Sequence, residues 1–424
     1  MPTQARQVAS LALPALPVLA AEPLYLLVDT AVVGHQGAVS LGALGVGAIV
    51  LAQLSTQLTF LSYGTTSRAA RLHGAGRSED ARAEGVQATW LALGIGVLLI
   101  AVGQLLAGPV TRLLAGEGPV REAATSWLRV ALLGVPMILV TLAGNGWMRG
   151  VQDTRRPLWF VLAGNGVSAC LCLLLVPKVG LIGSAWANVA GQMVAGALFL
   201  SALRPARPDV AVMRAQLVLG RDLILRSLAF QACFVSATAV AARTSVGAVG
   251  AHQVVLQLWT FLALVLDSLA IAAQSLVGAA LGGHRADRAR DLAWRLTRYG
   301  LVLGVLLGIA FAALSGVLPK VFTADPAVLS EIPHAWWFFV ALQPVAGVVF
   351  ALDGVLLGAG DAAFLRTATL VAALVGFLPL VWLSFAAGWG LTGIWTGLTL
   401  FMLVRLATLL WRTHSGRWAV VGVG

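Results

Sequence analysis

The sequence predicts an all-α integral membrane protein with twelve transmembrane helices, arranged as two parallel six-helix repeat lobes around a central cavity. Three observations carry that expectation. The 424-residue chain is 59% hydrophobic and only 11% charged, with a mean hydropathy of +0.90, whereas soluble domains run about 45–50% apolar and about 25% charged. The breaks between its apolar runs alternate in basic charge. The chain also matches itself at a nearly constant offset. Such a composition excludes an ordinary soluble globular protein, a disordered chain and a nucleic-acid-binding module. The net charge of +11 therefore has to be read against a bilayer before it is read as a sign of an acidic partner.

A helix crosses the hydrocarbon with roughly 20 apolar residues. Runs of that kind fall at 8–33, 41–67, 86–110, 123–148, 157–177, 181–203, 216–243, 248–281, 292–318, 331–359, 363–386 and 391–413. The first could pass for a secretion signal, since Arg6 precedes an apolar run from Val8 to Ala21. Glu22 and Asp29 follow without a break, however, and the hydrophobic pattern continues, so it reads as the first membrane helix. Gly, Pro and charged clusters punctuate the runs, as turns require.

One set of breaks holds Arg68, Arg71, Arg77 and Arg82, then Arg149, Arg155 and Arg156, then Arg204, Arg207, Arg214 and Arg221. It continues with Arg285, Arg288, Arg290, Arg295, Arg298 and Arg366, and Arg6, Arg412 and Arg417 join it at the chain ends. That side holds 20 of the 28 basic residues; the opposite side holds Arg112, Arg121, Lys178, Arg243 and Lys320. The positive-inside rule puts the basic side in the cytoplasm, which fits twelve spans with both termini inside. The expected location is a bacterial inner (cytoplasmic) membrane. Cys170, Cys172 and Cys233 all lie in apolar runs, without a second pair that would make a zinc site or a disulfide framework.

The internal match runs at an offset of 208. Gly74, Arg77, Glu79 and Arg82 align with Gly282, Arg285, Asp287 and Arg290; Pro136 aligns with Pro344, Asn145-Gly146 with Asp353-Gly354, Gly150 with Gly358, and Asp153 with Asp361. At Gly180-Leu181-x-Gly183 against Gly390-Leu391-x-Gly393 the offset becomes 210. Six helices separate the copies, so the halves share one orientation and are related by an axis along the membrane normal, a design suited to alternating access. The expected N-lobe is 1–203, the cytoplasmic linker with the start of helix 7 is 204–222, and the C-lobe is 216–424.

Ionisable groups inside a membrane are functional candidates because they are costly to keep there. Asp29 stands in an apolar stretch with no basic residue within a turn, and Glu22, seven residues earlier, shares its helical face. Tyr25 falls between them. An acid without a cation in such surroundings is a candidate for exchanging protons near neutral pH; the alternative is a structural acid bonded to a neighbouring helix. Pro14, Pro17 and Pro23 on the same helix can bend it. In the eighth span Gln253, Gln257, Thr260, Asp267 and Gln274 form a stripe at helical spacing, which either lines a substrate path or glues helices together. Gln53, Gln57 and Asn165 are further candidate cavity-lining residues. Asp353 suits a structural hydrogen bond as well as transport chemistry, because its repeat mate is the neutral Asn145. Arg129, Arg226 and Arg405 also fall at or within spans, and Arg226 calls for an acid across the cleft. His252 reads as locally satisfied, and the 14 tryptophans as an interfacial belt.

No P-loop, nucleophile elbow or zinc signature is present, so an ATP-driven or enzymatic function finds no support. Coupling to an ion gradient remains. The segments Pro23-Leu24-Tyr25-Leu26-Leu27-Val28-Asp29-Thr30-Ala31-Val32-Val33-Gly34, Arg149-Gly150-Val151-Gln152-Asp153-Thr154, Ala251-His252-Gln253 and Leu266-Asp267-Ser268-Leu269-Ala270-Ile271-Ala272-Ala273-Gln274 resemble the MATE (multidrug and toxic compound extrusion) family, the last pointing to its DinF-like branch. The resemblance covers essentially the whole chain. It implies a cation-coupled antiporter, not an enzyme, that exports small amphipathic, often cationic, organic compounds. It also implies that Asp29 is the leading coupling residue. Many relatives carry an Asn and, four residues later, an Asp in the fifth helix; this chain has Ser168 and Cys172 there, with Asn165 nearby. Losing that second acid favours H+ over Na+ as the coupling ion, with Na+ kept open. A sodium-coupled exporter, a lipid-linked precursor flippase and a membrane enzyme acting on lipids are the alternative readings. No metal or organic cofactor is expected, and the chain is taken as a monomer embedded in lipid, without nucleic acid.

Overall fold

A computed structural model of the chain describes residues 4–422. Helix is nearly continuous, and there is no strand among the described residues. The first half contains α1 (Gln4–Gly34), α2 (Ala38–Leu58), α3 (Phe60–Gly74), α4 (Ser78–Ala115), α5 (Pro119–Ala131), α6 (Val135–Gly150), α7 (Arg155–Val179) and α8 (Leu181–Ser201). The second contains α9 (Val210–Thr244), α10 (Val246–Gly282), α11 (Ala286–Ala313), the short α12 (Leu318–Phe322), α13 (Pro326–Gly358), α14 (Ala362–Val371), α15 (Leu378–Ala386) and α16 (Gly390–His414).

Eleven stretches among the described residues are long and apolar enough to cross a membrane. The twelfth expected span is α8, whose Ser184, Asn188 and Gln192 dilute its apolar character. The outer surfaces fit lipid rather than water. Leu105, Leu113 and Val246 are 78%, 85% and 84% exposed, and a water-soluble surface rarely presents so many large apolar groups together.

Proline chemistry explains the irregular turns. Pro136 has no N–H to give, and its ring excludes the carbonyl one turn earlier; a 3-10 turn at Leu132–Gly134 divides α5 from α6. Its repeat mate Pro344 is absorbed inside an unbroken α13. A π-helical segment, Ala372–Phe377, precedes Pro379 in α15 and lets the eleventh span continue past it. The stretch expected as a linker is irregular only as far as Asp209, because α9 starts at Val210, earlier than the expected span. That short stretch is held. Gln87 Nε2 donates to Arg207 O at 3.0 Å, Asp209 N donates to Gln87 Oε1 at 2.7 Å, and Trp90 Nε1 donates to Ala206 O at 3.0 Å. Glu84, ion-paired with Arg68, also accepts from Gln216 Nε2 at 2.7 Å.

The chain divides into two compact units: Ala9–Gly220, and Arg221–Gly424 with Met1–Val8. The division falls inside α9. Each unit builds the same helix crossings at the repeat offset. In the first, a Cβ on Gly146 would lie 2.4 Å from Ser62 O, one on Gly150 2.9 Å from Thr66 O, and one on Gly96 2.5 Å from Pro136 Cα. In the second, a Cβ on Gly354 would lie 2.2 Å from Ala270 O, one on Gly358 2.4 Å from Gln274 O, and one on Gly304 2.8 Å from Pro344 Cα. Residue by residue, each of these pairs is the other's mate at 208. Small residues at crossings let backbones approach where lipid gives no hydrophobic drive to association.

Adding a methyl group at such a crossing forces backbone apart. Gly354→Ala is expected to destabilise the protein by about 1–3 kcal/mol, read as a lower melting temperature in detergent. Gly94→Ala on α4, where nothing lies within 4 Å, is expected to leave it unchanged. Equal melting of the two variants would contradict the packing.

Candidate functional site

Asp29 is only 1% exposed although it lies on an apolar helix, near the C-terminal end of α1. Two helices close over it. α7 and α8 are joined by the single residue Gly180 at φ 66°, a left-handed conformation that suits glycine. The sharp turn lays the helices side by side, and Gly191 permits the contact, since a Cβ there would fall 1.9 Å from Ser168 Oγ and 2.5 Å from Gly164 O.

The carboxylate of Asp29 accepts two hydrogen bonds. Ser184 Oγ of α8 donates to Oδ2 at 2.9 Å, and Cys172 Sγ of α7 donates to Oδ1 at 3.2 Å. Trp127 Nε1 of α5 in turn donates to Ser184 Oγ at 3.2 Å, which leaves the serine hydrogen free to point at the acid. One turn before Asp29, the buried Tyr25 hydroxyl faces Asn188 and Ser168. Tyr25 Oη and Asn188 Oδ1 have no hydrogen-bond partner among the described residues. Ser168 gives its hydroxyl to Ala187 O at 3.1 Å. Among the described residues no Lys, Arg or His pairs with Asp29, and no cluster of three or more His, Cys, Asp or Glu forms.

The expected residues divide into those that meet here and those that do not. Tyr25, Asp29 and Ser168 converge, with Cys172 at the fifth-helix position opposite the acid. Asn165 does not substitute for a lost ligand; its Nδ2 donates to Val161 O of its own helix at 3.1 Å. Glu22 does not pair with Asp29. It is exposed, about 10 Å farther along the helix. Gln53 is exposed on α2 and Gln57 half-buried, with Oε1 unpartnered.

The stripe on α10 changes environment along its length. Gln253 and Gln257 are exposed and line a cavity of about 350 Å³ with Phe322, Thr323 and Val328. Asp267 is half-buried, and Gln274 is enclosed where α13 crosses. Asp353 pairs with two arginines, accepting from Arg226 Nη2 at 2.7 Å and Arg405 Nη2 at 2.5 Å. The acid that Arg226 needs thus comes from its own unit, not from across a cleft. His252 is fully buried, edge-on to Trp395, and neither ring nitrogen has a hydrogen-bond partner among the described residues; the expectation of local satisfaction fails there.

Ser184, Asn188 and Trp127 were missed by the sequence reading. Ser184 and Asn188 stand four apart on α8, the one span with diluted apolar character, and that spacing is the available signal.

If Ser184 acts on Asp29, their removals are coupled. In a double-mutant cycle of Ser184→Ala and Asp29→Leu read by thermal melting, a coupling energy of about 1 kcal/mol or more is expected for a hydrogen bond to a charged or buried group. Strictly additive losses would contradict the contact.

The family model MatE matches the chain twice, at residues 14–174 and 223–383, one copy in each half. The chain is 33% identical over 438 residues to Protein DETOXIFICATION 44, chloroplastic, of Arabidopsis thaliana, covering 98% of this chain and 84% of that protein. It is 30% identical over 421 residues to DNA damage-inducible protein F of Escherichia coli (strain K12), covering 93% and 90%. In fold it is similar to a crystal structure of a MATE protein in its bent conformation, with a TM-score of 0.90 at 19% identity over 97% of this chain and 96% of that one. The chain is a multi-pass membrane protein and belongs to the MATE family of multidrug and toxic compound efflux transporters.

Proposed function

We propose that the chain is an antiporter that exports small amphipathic, often cationic, organic compounds and draws its energy from protons through Asp29. The observation that carries this reading is the setting of Asp29: a buried acid on a membrane helix, held by one hydroxyl and one thiol, with no cation beside it. Such a group can carry one proton and, when it loses it, one negative charge. Both donors to it are neutral, so neither fixes its protonation state as an arginine would.

In the cycle we propose, Asp29 takes a proton from the outer side and bound cargo leaves. It then loses the proton to the cytoplasm, and new cargo is captured. By linkage, cargo and proton oppose each other's binding by the same factor. The excess of basic residues in one set of loops supports cytoplasmic termini and a cytoplasmic-type membrane as the location.

Sodium is the second reading, and one observation favours it: the Tyr25 hydroxyl stands one turn from the acid, with Asn188 and Ser168 facing it. Against it stands Cys172. Hard cations prefer oxygen ligands and thiol sulfur suits soft metals, so a thiol occupies a position where a second hard ligand would serve sodium.

Proteoliposomes separate the readings. A pH gradient without sodium is expected to drive efflux of a fluorescent organic cation by the wild type. Asp29→Asn is expected to reduce efflux to the protein-free background while melting normally. Cys172→Asp is expected to add a response to a sodium gradient. Wild-type efflux rates in Asp29→Asn would overturn the assignment, and transport by the wild type under a sodium gradient alone would replace the proton.

A further inference from the structure

The second unit holds a buried excess of positive charge that its scaffold does not need. Arg226 and Arg405 share a single carboxylate oxygen, Asp353 Oδ2, at 2.7 and 2.5 Å. Among the described residues one of the two guanidinium charges is therefore left without a countercharge, and Arg405 is only 2% exposed. Arg226 Nε, Arg405 Nε and Asp353 Oδ1 have no hydrogen-bond partner among the described residues. Phe230 lies against both guanidinium groups, 5.5 Å from Arg226 and 4.8 Å from Arg405, and Phe401 lies 5.9 Å from Arg405. One turn earlier on α9, Asp222 cannot supply the missing charge, because Arg366 at 2.6 Å and Arg221 at 3.2 Å already occupy it.

The repeat shows that this charge is not the means of packing the helices. The first unit makes the same crossing, Gly146 on Ser62 for Gly354 on Ala270, with neutral Asn145 in place of Asp353. Val18, at the 208 offset, stands for Arg226, and Ala195, at the 210 offset, stands for Arg405. An uncompensated buried charge is among the costliest features a protein can hold, and in a membrane helix it points to function.

We propose that Arg226 and Arg405 form a receiving site for an oxyanion, the carboxylate of an amphipathic organic cargo, and that Asp353 holds the two guanidinium forks in place until it arrives. Guanidinium donors match planar oxyanions in pairs, and Phe230 offers an aromatic wall for the apolar body of the cargo. Arg226, with 15% of its side chain exposed, is the way in. The inference rests on the exporter reading and widens its substrates from cations to compounds that carry a carboxylate. The phosphate of a lipid headgroup has the same chemistry and is the other source of such a group.

The test uses the full-length protein in detergent and a matched fluorescent pair, dansylglycine and dansylglycinamide, which differ in the carboxylate alone. Wild type is expected to bind dansylglycine about tenfold more tightly, the gain of a charge-assisted pair. Arg226→Gln is expected to erase that preference and Arg226→Lys to keep part of it. Asp353→Asn is expected to tighten dansylglycine binding several-fold, because a competing carboxylate is removed; a purely structural Asp353 would give weaker binding or none.

Displacement by benzoate but not by phosphatidylglycerol vesicles assigns the site to cargo, and the reverse assigns it to lipid phosphate. Equal binding of the two probes by wild type would overturn the proposal. So would a preference that survives in a normally melting Arg226→Gln. Should Arg226→Gln melt early, Asp353→Asn decides: unchanged or weakened binding overturns the proposal. No ion gradient enters the measurement, so its failure leaves the coupling role of Asp29 standing, and the reverse holds.

Discussion

In the hydrocarbon of a bilayer no water is available to bond a backbone or side-chain polar group, so each must find its partner within the protein. That constraint makes this chain helical from Gln4 onward and confines its irregular backbone to short turns. It also removes the hydrophobic drive that brings helices together in water. Glycine-lined crossings take its place, and they recur in both units at the same offset. Most charges are swept to the ends of the helices. The few left inside mark the places where the sequence bears a cost.

The two units bear that cost differently. At its buried acid, the first sets no cation beside Asp29, which rests on a hydroxyl and a thiol. The second keeps two arginines and one acid. A duplicated scaffold thus carries opposite chemistry at these two sites, an acid without a cation at Asp29 and two arginines on one acid at Asp353. In the cycle proposed above, both serve an exporter that trades a proton for its cargo. The thiol of Cys172 matters as much as the acid it faces, because it keeps the site from holding two carboxylates.

Much of this was legible in the sequence. Hydropathy, the alternation of arginines and the 208 offset gave the span count and the repeat, since each follows from one-dimensional rules of length and charge. The identity of Asp29 followed from its lack of basic neighbours, and Ser168 and Cys172 from the family resemblance, which marks those two positions in the fifth helix. What stayed hidden depends on how helices face one another. Glu22 shares a helical face with Asp29 by periodicity, yet among the described residues the hydrogen bonds to α7 and α8 are made by Asp29. Ser184 and Trp127 became visible once the turn at Gly180 set α8 against α7. The pairing of Arg226 with Asp353 joins residues 127 apart, beyond any local pattern. The broken helix at Leu132–Gly134 and its unbroken mate at Pro344 show one residue type giving two outcomes in two settings.

The central claim is that Asp29 trades a proton for cargo, and the most direct measurement of it is proton release on binding. Purified protein in a weakly buffered detergent solution, titrated with an organic cation near neutral pH, is expected to release up to about one proton per cation bound, as linkage requires, and Asp29→Asn is expected to release none while still folding. Cation binding to the wild type with no proton release, or undiminished release by Asp29→Asn, would contradict the account.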